Sequence, residues 1–282
     1  MSKSTNARRK KRLKLNLSTA AMGVFAFIFS FPFIWMTATS LKPTNEVFST
    51  GTSLFASRLE WSNYEMALTS IPFMRIVFNS LFVAVLGALL TVTVSLLSAY
   101  AFSRFRFKYR DHLFGLFIVT LVLPQEVLII PLYIMMYQAG LIDSYFALIV
   151  PMAFGAFGAF LIRQFMLSIP VDYEDAARID GANNFQILTK ILLPLLKAPL
   201  WVVGVFAFIH YWSDFLWPLI VINNPDMATL PLGLSMFNSQ FGTQWGPMMA
   251  AAVMAIIPSL FIVTFLQRQL EGGALSGAFG GR

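Results

Sequence analysis

Cysteine is absent from this 282-residue chain, and its 2 histidines are His112 and His210. The first absence excludes disulfides and thiolate chemistry, and the second leaves too few imidazoles for a clustered metal site. No Gly-x-x-x-x-Gly-Lys run followed by Ser or Thr occurs, so the backbone cradle and lysine that hold nucleotide phosphates are missing. Charge is scarce too. Asp, Glu, Lys and Arg make up 12% of the residues, against about 25% in ordinary soluble domains. A soluble fold cannot cover its surface with so few charges, and 57% of the chain is hydrophobic. Lipid must replace water over much of that surface, as in an integral membrane protein.

What is present are long apolar runs. A spanning helix needs about 20 mainly apolar residues, and six such runs can be drawn: Leu17–Leu41, Arg75–Phe102, His112–Gln138, Ser144–Met166, Leu195–Ile222 and Gly246–Leu266. Their continuity predicts an all-α membrane fold, since barrel strands would alternate. Pro124 and Pro131 each remove a backbone donor, which predicts a kinked or locally unwound third span. A basic head, residues 1–16, precedes the first span. That span is longer than a secretory h-region and is expected to be a retained anchor. The external segment 42–74 is too short for an independent domain, and is expected to lie against the membrane surface.

The 20 lysines and arginines fix an orientation. All but Lys42, Arg58 and Arg75 fall on one side: in the head, in the Arg104–Arg110 loop, around 170–194, and in the tail, which holds Arg268 and Arg282. The positive-inside rule then places both termini and the 170–194 loop in the cytoplasm. The net charge of +7 is accounted for by this topology and by membrane lipid, without a nucleic-acid partner.

One polar island interrupts the apolar pattern. Val171 to Lys190 reads VDYEDAARIDGANNFQILTK. Asp172 is a candidate N-cap for a short helix, with Glu174 and Asp175 in its first turn. Ala176, Ala177 and Ile179 supply a small apolar face, and Gly181 permits the bend that ends the helix. Asn183 or Asn184 can cap a second helix through Phe185, Ile187, Leu188 and Ile191, limited by Pro194. The expectation is a bent helix pair with acids and small residues exposed at its tip. Either a docking surface or a plain interfacial hairpin satisfies that pattern.

Intramembrane polar groups are the default candidates for a substrate path. Gln125 and Glu126 stand mid-way in the third run beside Pro124. His210 and Asp214, four apart, would share a helix face and can pair. Trp212 and Trp217 lie near them, and aromatic faces suit sugar rings. Structural contacts or an interfacial aromatic belt explain the same residues equally well.

The island resembles the EAA loop of the permease subunits of binding-protein-dependent ABC importers: Glu-Ala-Ala, three residues, Gly, nine residues, Ile-x-Leu-Pro. Ala176, Ala177, Gly181, Ile191, Leu193 and Pro194 match in spacing, while Asp175 stands where Glu is expected, with Glu174 just before it. Asn79–Leu81, Ala99–Arg104, Ile129–Tyr133, Phe160–Phe165, Trp212–Pro218 and Gln267–Gln269 are similar to the carbohydrate branch, in particular to maltose-type second permease subunits. The resemblance implies a type I ABC importer fold of six transmembrane helices, with a permease core over 75–270 and a cytoplasmic tail over 271–282. It implies as partners a second permease subunit, two cytoplasmic ATPase subunits that bind ATP and Mg, and an external substrate-binding protein. The loop 170–194 would be the coupling helix, with Glu174 or Asp175 gripping the ATPase. The chain itself would carry no cofactor and no catalytic residue. The external loop Asn223–Trp245 is a candidate for reaching the binding protein, and the tail for reaching the ATPases. A proton-coupled secondary transporter using Glu126, His210 and Asp214 as a relay is the main rival, although no internal repeat supports it. A scaffold without transport activity is a third reading.

Overall fold

The structure is a computed structural model and describes residues 2–49, 53–239 and 242–278. Arg282 and the rest of 279–282 of the expected tail lie outside these residues. The chain divides into two compact units, residues 1–70 with 237–256 and residues 71–236 with 257–282.

In the first unit, α1 (Ser2–Ser40) is followed by the short helices α2 (Glu46–Ser49) and α3 (Ser62–Thr69). From Met22 to Ser40, α1 is long and apolar enough to cross a membrane. Its side chains Val24, Phe25, Phe27, Ile28 and Phe29 are exposed, an arrangement that lipid permits and water opposes. Asn63 is the polar centre of this unit. It is fully buried, and its side-chain amide donates to the Ser40 and Lys42 carbonyls, both at 2.9 Å.

The second unit is built on α4 (Phe73–Arg104), a spanning-length helix of 32 residues. After it come α5 (Arg110–Val119), α6 (Gln125–Gln138), α7 (Tyr145–Ile149) and α8 (Ala156–Leu167). The α5 segment extends through a 3-10 turn to Val122 and meets α6 at 103°, the break falling at Leu123–Pro124. Proline cannot return an N–H to the preceding turn, which is why the third apolar run breaks there. Residues Tyr145–Phe154 and α8 form a second pair, bent by 46°. The polar island folds as α9 (Asp172–Ile179), α10 (Asn184–Gln186), a π-helical stretch Ile187–Leu192 and α11 (Leu193–Leu195). This stretch meets α12 (Lys197–Ser213) at 82°, and α13 (Leu216–Val221) and α14 (Leu230–Ser235) follow. Strands Asn238–Ser239 and Gly242–Thr243 pair antiparallel in the first unit, and α15 (Trp245–Ala278) closes the chain.

Among the described residues, three helices are long and apolar enough to span a membrane, and up to six spans result if each bent pair counts as one. The expected fifth run, Leu195–Ile222, is not one helix. It ends at Ser213, with Asp214 extended (ψ 124°), before α13 begins.

Helices α8 and α12 pack along α4. Gly158 lets them meet: a Cβ there would lie 2.9 Å from both Ser95 Cβ and Val203 Cγ1, too close to accommodate. Small residues commonly permit such approaches between membrane helices, where dispersion rather than water exclusion drives contact.

Candidate functional site

The island is built by three local devices. Val171 already has helical dihedrals, and its carbonyl accepts from Glu174 N at 2.8 Å and Asp175 N at 3.0 Å. The helix therefore begins one residue earlier than predicted, and Asp172 is in its first turn rather than acting as its side-chain cap. Its acids still complement the helix dipole. At the other end Gly181 has φ +87°. Gly181 N donates to Arg178 O at 3.0 Å and Ala182 N to Ala177 O at 2.9 Å. These are the paired bonds of a Schellman stop, which needs a left-handed residue at the glycine position. Asn183 then opens α10 with a reciprocal capping box to Gln186, both bonds 2.9 Å. The widened π turn precedes Pro194, which has no N–H to offer the Lys190 carbonyl.

The inner face of the island is apolar. Ile187, Leu188 and Leu192 are buried with Leu96, Ala99, Tyr100, Ile162 and Met166, and the half-buried Ala177 packs on the same cluster. Glu174 is buried there as well. Arg104, the last residue of α4, donates through Nε to Glu174 Oε1 and through Nη2 to Ile169 O at 3.0 Å. The two side chains are only 7% and 1% exposed. Arg178 Nη2 approaches the second Glu174 oxygen at 3.8 Å. The expectation that both acids stand exposed at the tip is corrected for Glu174, which faces inward onto the spanning helix.

The outer face carries Asp175, paired with Arg178 at 2.9 Å, together with the exposed Ala176 and Gly181. Leu193 and Pro194 are exposed and Ile191 is half-buried. Ile179, expected on the small apolar face with Ala176 and Ala177, is 87% exposed here, and Phe185, expected only within the second helix, joins it at 73% exposed. In the sequence Arg104 serves as a topological charge and as the end of the Ala99–Arg104 stretch, without being paired to the acid it meets.

A cavity of about 540 Å³ opens between α4, α8, α12 and the broken third run. Gln125, His210, Thr91, Thr120, Met152 and Tyr211 are among its lining residues. Of the predicted path residues, it unites Gln125 and His210. Glu126 is exposed in the first turn of α6. Asp214 ends α12 as its C-terminal cap, four residues after His210 and within electrostatic reach of it, and its Oδ1 accepts from Trp217 N at 3.4 Å. Trp217 is buried, and its indole N–H donates to Ala147 O at 2.8 Å, so it packs between α7 and α13 and does not line this cavity. Trp212 stacks on Phe208 and donates to Ser259 Oγ at 3.1 Å.

Among the described residues, a mainly helical membrane fold carries a bent polar helix pair seated on the end of a spanning-length helix, an arrangement suited to a membrane transport component. The chain belongs to the family of binding-protein-dependent transport system inner membrane components, whose pattern matches residues 91–274. It is 32% identical to the lactose transport system permease protein LacG of Rhizobium radiobacter, over 86% of this chain and 88% of that one. It is 40% identical to the sn-glycerol-3-phosphate transport system permease protein UgpE of Agrobacterium fabrum, over 71% of each. In fold it is similar to a chain of a bacterial ABC transporter that imports the acidic polysaccharide alginate, with TM-score 0.78, 24% identity, and coverage of 92% of this chain and 97% of that one.

Proposed function

We propose that this chain is the permease subunit of an ATP-driven importer for a sugar or related oligosaccharide, with six spans and both termini in the cytoplasm. It would pair with a second permease subunit, two ATPase subunits that hold ATP and Mg, and an external substrate-binding protein. The observation that carries this reading is the island. The EAA-like residues fold into a bent helix pair whose inner face is locked to the membrane helices, while Asp175, Ala176, Ile179 and Phe185 are exposed on the outer one. An exposed apolar rim beside a charge suits a groove on another protein. Closure of an ATPase dimer on ATP would draw two such helices together and rock the permease helices.

Family membership and the names of the relatives support the transport role and the carbohydrate class, and one solved neighbour is in complex with an oligosaccharide-bound periplasmic protein. Of the two acids, Asp175 is the one on the docking face, because Glu174 is committed to Arg104. The cavity holding Gln125 and His210 is the candidate path. A phosphorylated polyol is a second substrate reading, favoured by the 40% identity to the glycerol-phosphate permease. Against the proton-relay alternative, Glu126 does not line the cavity that contains His210, so the three relay residues are not brought together there.

The test is reconstitution of the complex encoded with this chain, with ligands screened first on the cognate binding protein. Uptake that follows ATP, and co-purification of the ATPase that is lost in an Ile179→Asp/Phe185→Asp variant, is the expected result. Uptake that follows a proton gradient without ATP would overturn the reading.

A further inference from the structure

The role proposed for the island requires force applied at α9 to reach helices that border the cavity. Apolar contact alone is poorly suited to that, being non-directional and free to slide. The 168–171 segment joining α8 to α9 is also short and without regular helix. Tyr100 OH of α4 reaches Asn184 O of α10 at 3.5 Å, and a charged link crosses directly to α9. Arg104 ends α4, and its guanidinium holds the Glu174 carboxylate of α9 on one arm and the Ile169 carbonyl, just beyond α8, on the other. Helices α4 and α8 both border the cavity, through Thr91 and through Ala156 and Gly158. The pair is removed from water, so parting it would strand a buried charge, and the pair resists separation far more than an exposed one would.

We infer that Arg104 and Glu174 form a clip that makes α4, the α8 exit and the island move as one body, so that Arg104 is a positioning residue for the transmission of ATPase motion to the membrane cavity. This rests on the coupling role proposed above. The two-armed geometry is what Arg supplies and Lys does not: a planar fork can hold a carboxylate and a carbonyl together, whereas a single ammonium reaches them one at a time. The clip also accounts for an acid so close to the docking face being turned away from it.

The experiment uses the complete complex in lipid vesicles, with its partner subunits freed of accessible thiols. This chain has no cysteine, so Thr120→Cys, at a lining position of the cavity, places a single reporter thiol there. The readouts are ATP hydrolysis and the change that MgATP causes in the thiol's alkylation rate by a membrane-impermeant maleimide. With Arg104 intact, MgATP changes that rate. Arg104→Gln and Glu174→Gln are expected to keep hydrolysis while shrinking the MgATP-dependent change by about tenfold. Arg104→Lys is expected to fall between them and the parent. If the Gln variants do not assemble, Arg104→Lys decides the matter, because it keeps the charge while losing one arm. A parent-sized response in Arg104→Lys, or in the Gln variants with hydrolysis unchanged, overturns the clip. A reporter that ignores MgATP even with Arg104 present instead overturns the importer reading on which the clip rests.

Discussion

The two ends of α4 are fastened by different chemistry. At the Arg104 end the fastener is a buried ion pair with one added carbonyl. At the Phe73 end it is a neutral network around Asn79, which is fully buried. Asn79 Nδ2 donates to Asp226 O at 2.9 Å and Ala228 O at 3.0 Å, and Tyr145 OH donates to Asn79 Oδ1 at 2.7 Å. Next to it Ser80 Oγ accepts from Leu230 N. Neutral amides fix a loop's position at modest desolvation cost. A buried ion pair costs more to form but is difficult to part once formed. The first suits an end that must hold an irregular segment in register, and the second an end that must carry load.

The largest effects should come from breaking the charged end on one side only. Glu174→Ala leaves the Arg104 guanidinium buried without its counter-ion, and Arg104→Ala leaves the buried Glu174 carboxylate with only Arg178, 3.8 Å from its second oxygen. Each should lower stability by about 3–5 kcal/mol, read as a lowered thermal transition of the protein in detergent or nanodiscs. A loss below 1 kcal/mol would mean that water reaches the pair, and would remove the contrast between the two ends. Asn79→Ala should cost less, about 1–3 kcal/mol, through two carbonyls and a tyrosine hydroxyl left unpaired. Asn79→Asp is the sharper probe of the same end, because it removes the donors while keeping the shape. It should destabilise at least as much as the alanine at neutral pH.

The contrast was only partly legible in the sequence. Apolar continuity marked the spans, and Pro124 marked the break in the third. Gly181 and Asn183 announced their bend and cap, because these devices are local and are encoded within a few residues. The interruption at Asp214 was not visible, since Ser213-Asp214-Phe215 reads as ordinary helical sequence and its break depends on packing around Trp217. The burial of Glu174 was equally hidden. It depends on Arg104, 70 residues earlier, and nothing in the phase of α9 distinguishes an acid bonded to a distant arginine from one facing solvent. The fate of a charge is a tertiary property, whereas that of a proline or glycine is largely a local one.

Smaller effects test whether charge as such matters at the Phe73 end. Arg75 and Asp226 pair there at 3.0 Å, but both side chains are about half exposed. Arg75→Gln should therefore change stability by only about 0–1 kcal/mol, and the change should shrink further as salt is raised. An effect as large as that of Glu174→Ala would overturn the view that this end is held by amides.

The smallest expected effect is one of pH, at a clasp outside the spanning helices. Asp143, in a left-handed turn (φ 57°), accepts from Asn224 N at 2.9 Å and from Asn223 N at 2.5 Å. The Asn224 N–H is the principal cause holding its carboxyl below the usual carboxylate range, with Asn223 adding to it and partial desolvation opposing. A carboxyl depressed in the folded state contributes stability above its unfolded pKa and loses it as pH falls through the folded one. The clasp should thus be intact at neutral pH and loosen below the ordinary range of aspartate, near pH 4. Amide hydrogen exchange at Asn223 and Asn224 should accelerate there beyond the change seen elsewhere, and Asp143→Asn should show that faster exchange already at neutral pH. Exchange at Asn223 and Asn224 that stays unchanged through that range, or in Asp143→Asn, would show that the carboxylate does not hold this turn.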